Sequence, residues 1–250
     1  MLIVLSPAKT LDTAPAYPTS LALTKPQFYA DAKALASSLA ALSEAQLGTL
    51  MDISPNLAAL NVARFESFAA GTHPAAWMFR GDVYDGLDID TLPAKALPAL
   101  EQRLRILSGL YGLLRPSDAM HPYRLEMGTA WKNPKGKDLY AFWGARIAHA
   151  LNKAAEEAST DLLLNLASVE YHSAIDRKAL KPRLITAHFK ERKNGAVKVV
   201  SLFAKRARGM MARWVVEQKA QEKHLPEFNL GGYRFQESLS DSANLIFVRG

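Results

Sequence analysis

The stretch that most constrains the fold is the segment 103–128, which reads RLRILSGLYGLLRPSDAMHPYRLEMG. It opens with a short apolar run, which Gly109, Gly112 and Pro116 then interrupt. Because glycine adopts backbone conformations that side chains forbid and proline fixes φ, we expect a buried strand or helix end to turn sharply here. The polar loop after the turn carries His121, Tyr123, Arg124 and Glu126. Such a loop is typical of a binding or catalytic site, and an ordinary charged connection is the alternative.

Two further apolar runs predict buried strands with polar residues after them. Residues 2–5 read LIVL and lead to Ser6 and Lys9, and residues 161–168 read DLLLNLAS and lead to Glu170. In α/β sheets ligands collect at the carboxyl ends of parallel strands, so these three side chains are candidate site residues. The alternative is that Ser6 and Lys9 only form a turn.

Residues 42–68 have the pattern of two short helices. Ser43 and Gln46 stand at capping-box spacing, and Pro55 suits the first position of a second helix. Two helices across a tight turn, at about residues 43–68, resemble a helix-hairpin-helix element that presents backbone amides to DNA phosphate. The Gly-x-Gly hairpin of that element is missing, so a plain pair of packed helices is the alternative.

A further polar motif, FRGDVYDGL, covers residues 79–87 and carries Arg80, Asp82 and Asp85. Two neighbouring carboxylates suit acid–base or metal chemistry. Asp beside Gly is equally typical of turns, so both interpretations stand.

The remaining signals favour one mixed sheet. Asn194 and Gly195 between two apolar runs predict a hairpin, and residues 232–237 and 244–249 predict a closing pair of strands. Repeats, low-complexity tracts and linkers are absent from the sequence. We therefore expect one mixed α/β (α+β) domain over residues 1–250, with a central mixed β-sheet flanked by helices.

The composition excludes several classes of protein. The 31 Lys and Arg against 24 Asp and Glu give a net charge of +7, which favours nucleic acid or phosphorylated ligands as partners. The absence of cysteine excludes disulfides, thiolate zinc sites and cysteine nucleophiles. Apolar runs stay well short of the roughly 18 residues of a transmembrane helix, and the N-terminus lacks the charged start of a signal peptide. We therefore expect a cytoplasmic protein without a membrane partner.

The positive charge is concentrated late in the chain. Seven Lys and Arg and no acidic residue lie between Glu191 and Glu217. At about 100° per residue, a helix at 203–218 has an apolar side and an opposite cationic side. The cationic side carries Lys205, Arg206, Arg208 and Arg213. Gly209 and Ala212 fall within this arc, where we expect them to let a phosphate backbone approach closely; a solvated basic face is the alternative.

Together these motifs resemble the YaaA family, bacterial proteins of the peroxide stress response, nearly from end to end. The matching segments are SPAKT at 6–10, FRGDVYDGL at 79–87, LSGLYGLLRPSD and PYRLEMG within 107–128, KDLYAFWG at 137–144, NLASVEY at 165–171 and FAKRARGMM at 203–211. The resemblance implies a cytoplasmic protein that keeps unincorporated iron low during oxidative stress. It also implies a single-domain α/β fold with a positively charged cleft and a helix-hairpin-helix-like element, and binding to double-stranded or branched DNA.

Two functional hypotheses follow. In the first, the chain is a non-enzymatic protein that shields DNA, which it binds largely independently of sequence. Its phosphate-binding residues would be Lys9, Arg80, Arg115, Arg124, Lys205, Arg206, Arg208 and Arg213. In the second, the chain is an enzyme that acts on a nucleotide, a base or damaged nucleic acid in the same cleft. Its candidate catalytic residues are Ser6, Lys9, Asp82, Tyr123, Glu126 and Glu170.

We predict neither a metal site nor a cofactor. The six histidines are scattered through the sequence without an i,i+4 pair. A carboxylate site built from Asp82, Glu126 and Glu170 is the alternative that remains open. The link of the family to iron does not require that the chain itself bind iron.

Overall fold

The computed structural model describes residues 1–133 and 135–250, and within them eight strands form one mixed sheet. The strands of the chain are β1 (Leu2–Leu5), β2 (Thr10–Leu11), β3 (His73–Pro74), β4 (Phe79–Arg80), β5 (Leu104–Ser108), β6 (Gly112–Leu114), β7 (Ala119–Met120), β8 (Leu162–Asn165), β9 (Arg183–Lys193), β10 (Ala196–Lys198), β11 (Arg234–Phe235) and β12 (Asn244–Arg249). The large sheet has the order β11-β12-β9-β8-β1-β5-β6, with β10 paired to β9. β2 pairs with β4, and β3 with β7, outside it.

Parallel pairing brings the carboxyl ends of strands that are distant in sequence to the same end of this sheet. β1 lies between β5 and β8 and runs parallel to both, and β9 continues in parallel beside β8. The register pairs Leu5 with Ile106 and Val4 with Asn165, so the loops after β1, β5 and β8 leave from neighbouring positions. All of β1 is buried, as expected for a central strand covered on both faces.

The segment 103–128 contains a tight hairpin, β5–β6, which confirms the predicted sharp turn. Gly112 has a φ of +67°, and a Cβ there would lie 2.7 Å from the Trp143 ring. A Cβ on Gly109 would lie 2.3 Å from the carbonyl oxygen of Leu125. Both positions therefore require glycine, and the second lets the polar loop pack directly against the end of β5.

Helices flank the sheet, which confirms the predicted mixed α/β architecture. They are α1 (Tyr29–Ala40), α2 (Glu44–Met51), α3 (Pro55–Glu66), α4 (Ala75–Met78), α5 (Asp82–Leu87), α6 (Leu97–Arg103), α7 (Leu139–Trp143), α8 (Arg146–Glu157), α9 (Val169–His172) and α10 (Ser201–Glu217). α6 and α10 contact β1, and α8 contacts β6. α8 buries Ile147 and Leu151, which form part of the apolar core.

The two helices predicted within residues 42–68 are present as α2 and α3. Ser43 and Gln46 form the predicted capping box, and Pro55 begins α3. The helices pack against each other across a turn in which Asp52 has a left-handed conformation. That this pair serves as a helix-hairpin-helix DNA-binding element stays a prediction.

The late strands follow the sequence pattern. β9 and β10 form a hairpin around Asn194 and Gly195, whose φ angles are +52° and +78°. β11 and β12 pair in antiparallel fashion, which confirms the predicted closing pair. α10 starts three residues after β10 and carries the cluster of positive charge.

α10 crosses α5 at two glycines, where the backbones nearly touch. A Cβ on Gly209 would lie 1.8 Å from the carbonyl oxygen of Val83, and one on Gly86 would lie 2.0 Å from that of Arg206. The prediction that Gly209 and Ala212 let a phosphate backbone approach is therefore wrong, because both residues are buried inside the protein. α10 is buried over more of its circumference than a one-sided amphipathic pattern indicates.

We expect Gly209→Ala to lower the free energy of unfolding by about 1–3 kcal/mol or more, because the added methyl group must push α5 away. Urea unfolding followed by circular dichroism measures this change. The matched control is Gly48→Ala in α2, where a Cβ would lie 3.5 Å from that of Ala58, an ordinary contact. Helix propensity predicts that this control is neutral or more stable by up to about 1 kcal/mol. Equal stabilities for the two variants would contradict the close packing.

Candidate functional site

The carboxyl ends of β1 and β8 border a cleft of about 400 Å³, together with the polar loop after β7, the start of α5, and α10. The predicted site residues that line this cleft are Ser6, Lys9, Arg80, Asp82, Tyr123, Arg124, Glu126, Glu170, Lys205 and Arg208. All six candidate catalytic residues therefore share one cavity. The ten lining residues come from five separate parts of the chain, which the parallel sheet and the α5–α10 crossing bring together.

Ser6 holds the strand ends together beneath the cleft. Its hydroxyl oxygen accepts a hydrogen bond from the backbone N–H of Ser168 at 2.8 Å and lies 3.3 Å from the Ser168 hydroxyl. The Tyr84 hydroxyl donates to the Ser6 carbonyl oxygen at 3.1 Å. Sequence reasoning did not single out Ser168, although the two serines follow adjacent parallel strands. Ser168 ends the apolar run 161–168, and its polar side chain at that end of a predicted strand is the signal that could have found it.

Glu126 joins two of the predicted phosphate-binding cations. One carboxylate oxygen lies 3.1 Å from the Lys9 ammonium, and the other accepts from the Arg124 guanidinium at 3.0 Å. Side-chain exposure is 64% for Lys9 and only 17% for Arg124, so Lys9 remains open to solvent while Arg124 lies mostly within the protein. The carboxylate therefore fixes both cations at the cleft and offsets part of their charge.

Glu170 has a positioning role in the same cleft. Its carboxylate accepts a hydrogen bond from the backbone N–H of Gly128 at 2.9 Å, and its carbonyl oxygen accepts from the Tyr140 hydroxyl at 3.0 Å. Burial and the charge of Glu170 raise the pKa of Tyr140 above its ordinary value. Glu170 thus ties the end of the polar loop to the start of α9.

Buried phenols form part of the cleft wall. Tyr123 shares a hydrogen bond of 2.5 Å with the Ser108 hydroxyl, and burial raises the pKa of Tyr123 above its ordinary value. Tyr171, which the sequence analysis did not single out, lines the cleft as well, and burial raises its pKa too. Both phenols therefore stay protonated near neutral pH and supply a neutral, largely apolar wall.

α10 and α5 supply the opposite wall. The Lys205 ammonium lies 3.9 Å from the carboxylate of Asp82, and Lys205 is half exposed. Arg208 lines the cleft one turn later, and burial lowers the pKa of Arg208 below its ordinary value. Asp85 is exposed and does not line the cleft, so the two carboxylates of the FRGDVYDGL motif do not face one ligand.

Three of the predicted phosphate-binding residues do not line this cleft. Arg115 lies at the opposite end of the strands, because β6 runs antiparallel to β5 and carries its own end away from the cleft. There it pairs with Asp118 at 3.2 Å. Arg213 forms an ion pair with Glu217 at 2.9 Å and donates hydrogen bonds to carbonyl oxygens near the end of α5. Arg206 lies on the exposed side of α10.

Arg80 lines the cleft but already has two partners. Its guanidinium lies 3.2 Å from the carboxylate of Asp12 and 3.0 Å from that of Asp90. His121 of the polar loop points elsewhere, with its Nε2 3.0 Å from the carbonyl oxygen of Arg64. Both side chains are therefore held by contacts with residues outside the cleft.

Carboxylates and histidines do not converge into a metal-binding group of three or more anywhere in residues 1–133 and 135–250. This includes Asp82, Glu126 and Glu170, for which the sequence left a carboxylate site open. Within the same residues, none of the helices combines the length and apolar character needed to cross a membrane.

The fold and the site define an α/β protein with a cleft lined by charged side chains at the carboxyl ends of strands in a mixed sheet. The family model described as peroxide stress protein YaaA matches residues 1–239. A UPF0246 protein of Idiomarina loihiensis is 48% identical over 255 residues, which cover 100% of this chain and 98% of that protein. UPF0246 proteins of Shewanella sp. strains ANA-3 and MR-4 are 47% identical, again over 100% of this chain and 99% of each relative. The chain belongs to the YaaA family of peroxide stress proteins, and a general role in oxidative stress follows.

We expect Arg213→Ala to lower the free energy of unfolding by about 1.5–3 kcal/mol, because the change removes charge-assisted hydrogen bonds that join α10 to the end of α5. Thermal and urea unfolding measure the loss. Arg206→Ala is the matched control on the same helix, and its exposed side chain predicts a change within about 0.5 kcal/mol. An Arg213 variant as stable as this control would show that Arg213 is not a structural cation.

Proposed function

We propose that the chain binds double-stranded or branched DNA in the cytoplasm, largely independently of sequence, through the exposed cations at and beside the cleft. These cations are Lys9, Lys205 and Arg206. The observation that carries the proposal is the solvent-facing part of α10, where Lys205 and Arg206 are exposed and Arg206 has no carboxylate within 4 Å in the part of the chain that the structure describes. Lysine and arginine side chains of this kind neutralise phosphates and release condensed counterions.

DNA binding of this type would connect the site to peroxide stress. Ferrous iron and peroxide together damage DNA, and a protein that covers the phosphate backbone would shield it. We propose that the chain also limits free intracellular iron, as the family resemblance implies. The family link does not require that the chain bind iron. We therefore attribute the effect on free iron to the peroxide stress response as a whole and not to a metal site in this chain.

Duplex binding at 50, 100 and 200 mM salt tests the proposal. We expect affinity to fall steeply with salt, and Lys205→Gln with Arg206→Gln to make the slope of log affinity against log salt shallower by about 2, since each cation contributes about one released counterion. Fluorescence anisotropy of a labelled duplex measures the slope.

The matched control for that experiment is Lys153→Gln with Lys181→Gln. The side chain of Lys153 on α8 is 72% exposed, and that of Lys181, which pairs with Glu156 of α8, is 74% exposed. The two control substitutions remove the same net charge as the two substitutions on α10. The control should keep the wild-type slope. Equal slopes for the two double variants, or a lack of wild-type binding at 50 mM salt, would refute the assignment.

A second function is favoured by a separate observation. Backbone binding needs cations, yet Ser6, Asp82 and Glu126 share the cleft with them. The alternative proposal is therefore an enzyme that acts on a nucleotide, a base or damaged nucleic acid, with Glu126 as general acid or base.

Complementation of a strain that lacks the protein separates the two functions. Under the alternative, Glu126→Gln should keep duplex binding but lose peroxide resistance, because the amide preserves size and removes the titratable group. Asp85→Asn, an exposed carboxylate outside the cleft, is the control and should restore survival in peroxide fully. Full rescue by Glu126→Gln would remove the main support for an enzyme.

A further inference from the structure

Two arginines of the cleft have buried donors without a protein partner. The Nε atoms of Arg124 and Arg208 are inaccessible to solvent and make no hydrogen bond with any residue that the structure describes. Only one other side-chain atom in those residues, Nδ1 of His172, shares this state. A buried donor that lacks a partner destabilises the folded state, so two of them in side chains that line one cleft require an explanation.

Arg208 differs from the other partly buried arginines of the chain. Arg213 has Glu217 within 2.9 Å, and the guanidinium of Arg105 donates to the carbonyl oxygens of Glu101 and Leu104. Within residues 1–133 and 135–250, no carboxylate lies within 4 Å of Arg208. Because guanidinium remains charged even when burial lowers its pKa, Arg208 brings an uncompensated positive charge to the cleft.

The charge balance of the cleft indicates the ligand. Its lining contains five cationic side chains and three carboxylates, but Arg80 is paired with Asp12 and Asp90 outside the lining, which leaves an excess of one positive charge. A phosphate monoester, which carries about −1.5 to −2 at neutral pH, is attracted to this charge more strongly than a phosphodiester, which carries −1. Arginine also presents its N–H donors in a planar fork that suits phosphate oxygens.

The size and the walls of the cleft agree with a small ligand. A volume of about 400 Å³ lies in the usual range of small-molecule sites, roughly 300–1,000 Å³. Pro7, Val83, Leu125 and the ring of Tyr123 line it beside the charged groups. These apolar surfaces would pack against the organic part of an ester, while a duplex is too wide to enter.

From these observations we infer that the cleft binds a phosphate monoester, with the phosphate on the guanidinium of Arg208. The monoester is either a free nucleotide or the phosphorylated end of a DNA strand. The inference goes beyond backbone binding by Lys205 and Arg206, because Arg208 faces the cleft and Arg206 faces solvent. It therefore holds whether or not the exposed cations bind a duplex.

Calorimetric titration of the full chain tests the inference with four probes: deoxyadenosine monophosphate, deoxyadenosine, and one short single-stranded oligonucleotide with and without a 5′-phosphate. We expect at least one phosphorylated probe to bind at least tenfold more tightly than its unphosphorylated partner. Preference within the nucleotide pair identifies a free nucleotide as the source, and preference within the oligonucleotide pair identifies a strand end. Failure of both pairs to show a preference overturns the inference.

Arg208→Gln should lower the affinity for the preferred phosphorylated probe at least tenfold, and Arg208→Lys should lower it less, because the positive charge is kept. Lys153→Gln on α8 is the control, because its side chain is exposed and does not line the cleft, and it should change that affinity less than twofold. Since Arg208 has no carboxylate partner, we expect the melting temperature of Arg208→Gln without ligand to equal or exceed that of the wild type. Wild-type affinity of a folded Arg208→Gln variant for the phosphorylated probe would overturn the assignment of Arg208.

Discussion

The contact between the backbones of α5 and α10 determines the geometry of the cleft. Gly86 and Gly209 lie where any side chain would collide with the opposite helix, and they are separated by more than a hundred residues of sequence. Because the two helices meet without intervening side chains, Asp82 at the start of α5 lies 3.9 Å from Lys205 of α10. A wider crossing would move the cations of α10 away from the strand ends. The packing of two small residues thus decides which charges face each other.

The sheet supplies the rest of the arrangement by a different constraint. Parallel pairing of β1 with β5 and β8 places their following loops side by side, and the Ser6 hydroxyl then fixes the loop after β8 at 2.8 Å. The carboxylates of Glu126 and Glu170 hold the polar loop to these ends through ion pairs and a backbone hydrogen bond. Acidic residues in the cleft therefore position its cations as well as balance them. This accounts for carboxylates in a cleft that also contains five cationic side chains.

Local sequence predicted the elements well, and for physical reasons. The strand at residues 2–5, the capping box at Ser43 and the hairpin at Asn194 depend on residues close in sequence, so their signals are complete within a short window. The hydrogen bond of the buried Asn165 is local as well, because its side-chain oxygen accepts from the N–H of Ala167 at 2.9 Å. Residues at predicted strand ends did meet in one cleft, because parallel strands share an edge.

The errors concern long-range pairing, which a short window does not encode. Arg115 follows the central turn closely in sequence, yet the antiparallel direction of β6 carries it to the opposite end of the strands. A helical wheel shows that Gly209 and Arg213 share a side of α10, but it does not show that α5 covers that side. The free charge of α10 is therefore smaller than the sequence predicts.

Among the residues that the structure describes, the cations of α10 that remain without a carboxylate partner differ in their exposure to solvent. Arg206 and Arg208 are two positions apart, which corresponds to about 200° around the helix axis, so their side chains leave the helix in different directions. Arg206 is exposed, where salt screens its attraction for phosphates, and Arg208 is partly buried, where screening is weaker and an unpaired charge is costly. An exposed cation suits a mobile, sequence-independent polyanion, whereas a buried one suits a ligand that replaces its hydration in a fixed geometry. The two arginines therefore lie in different environments, even though the sequence presents them as one basic cluster.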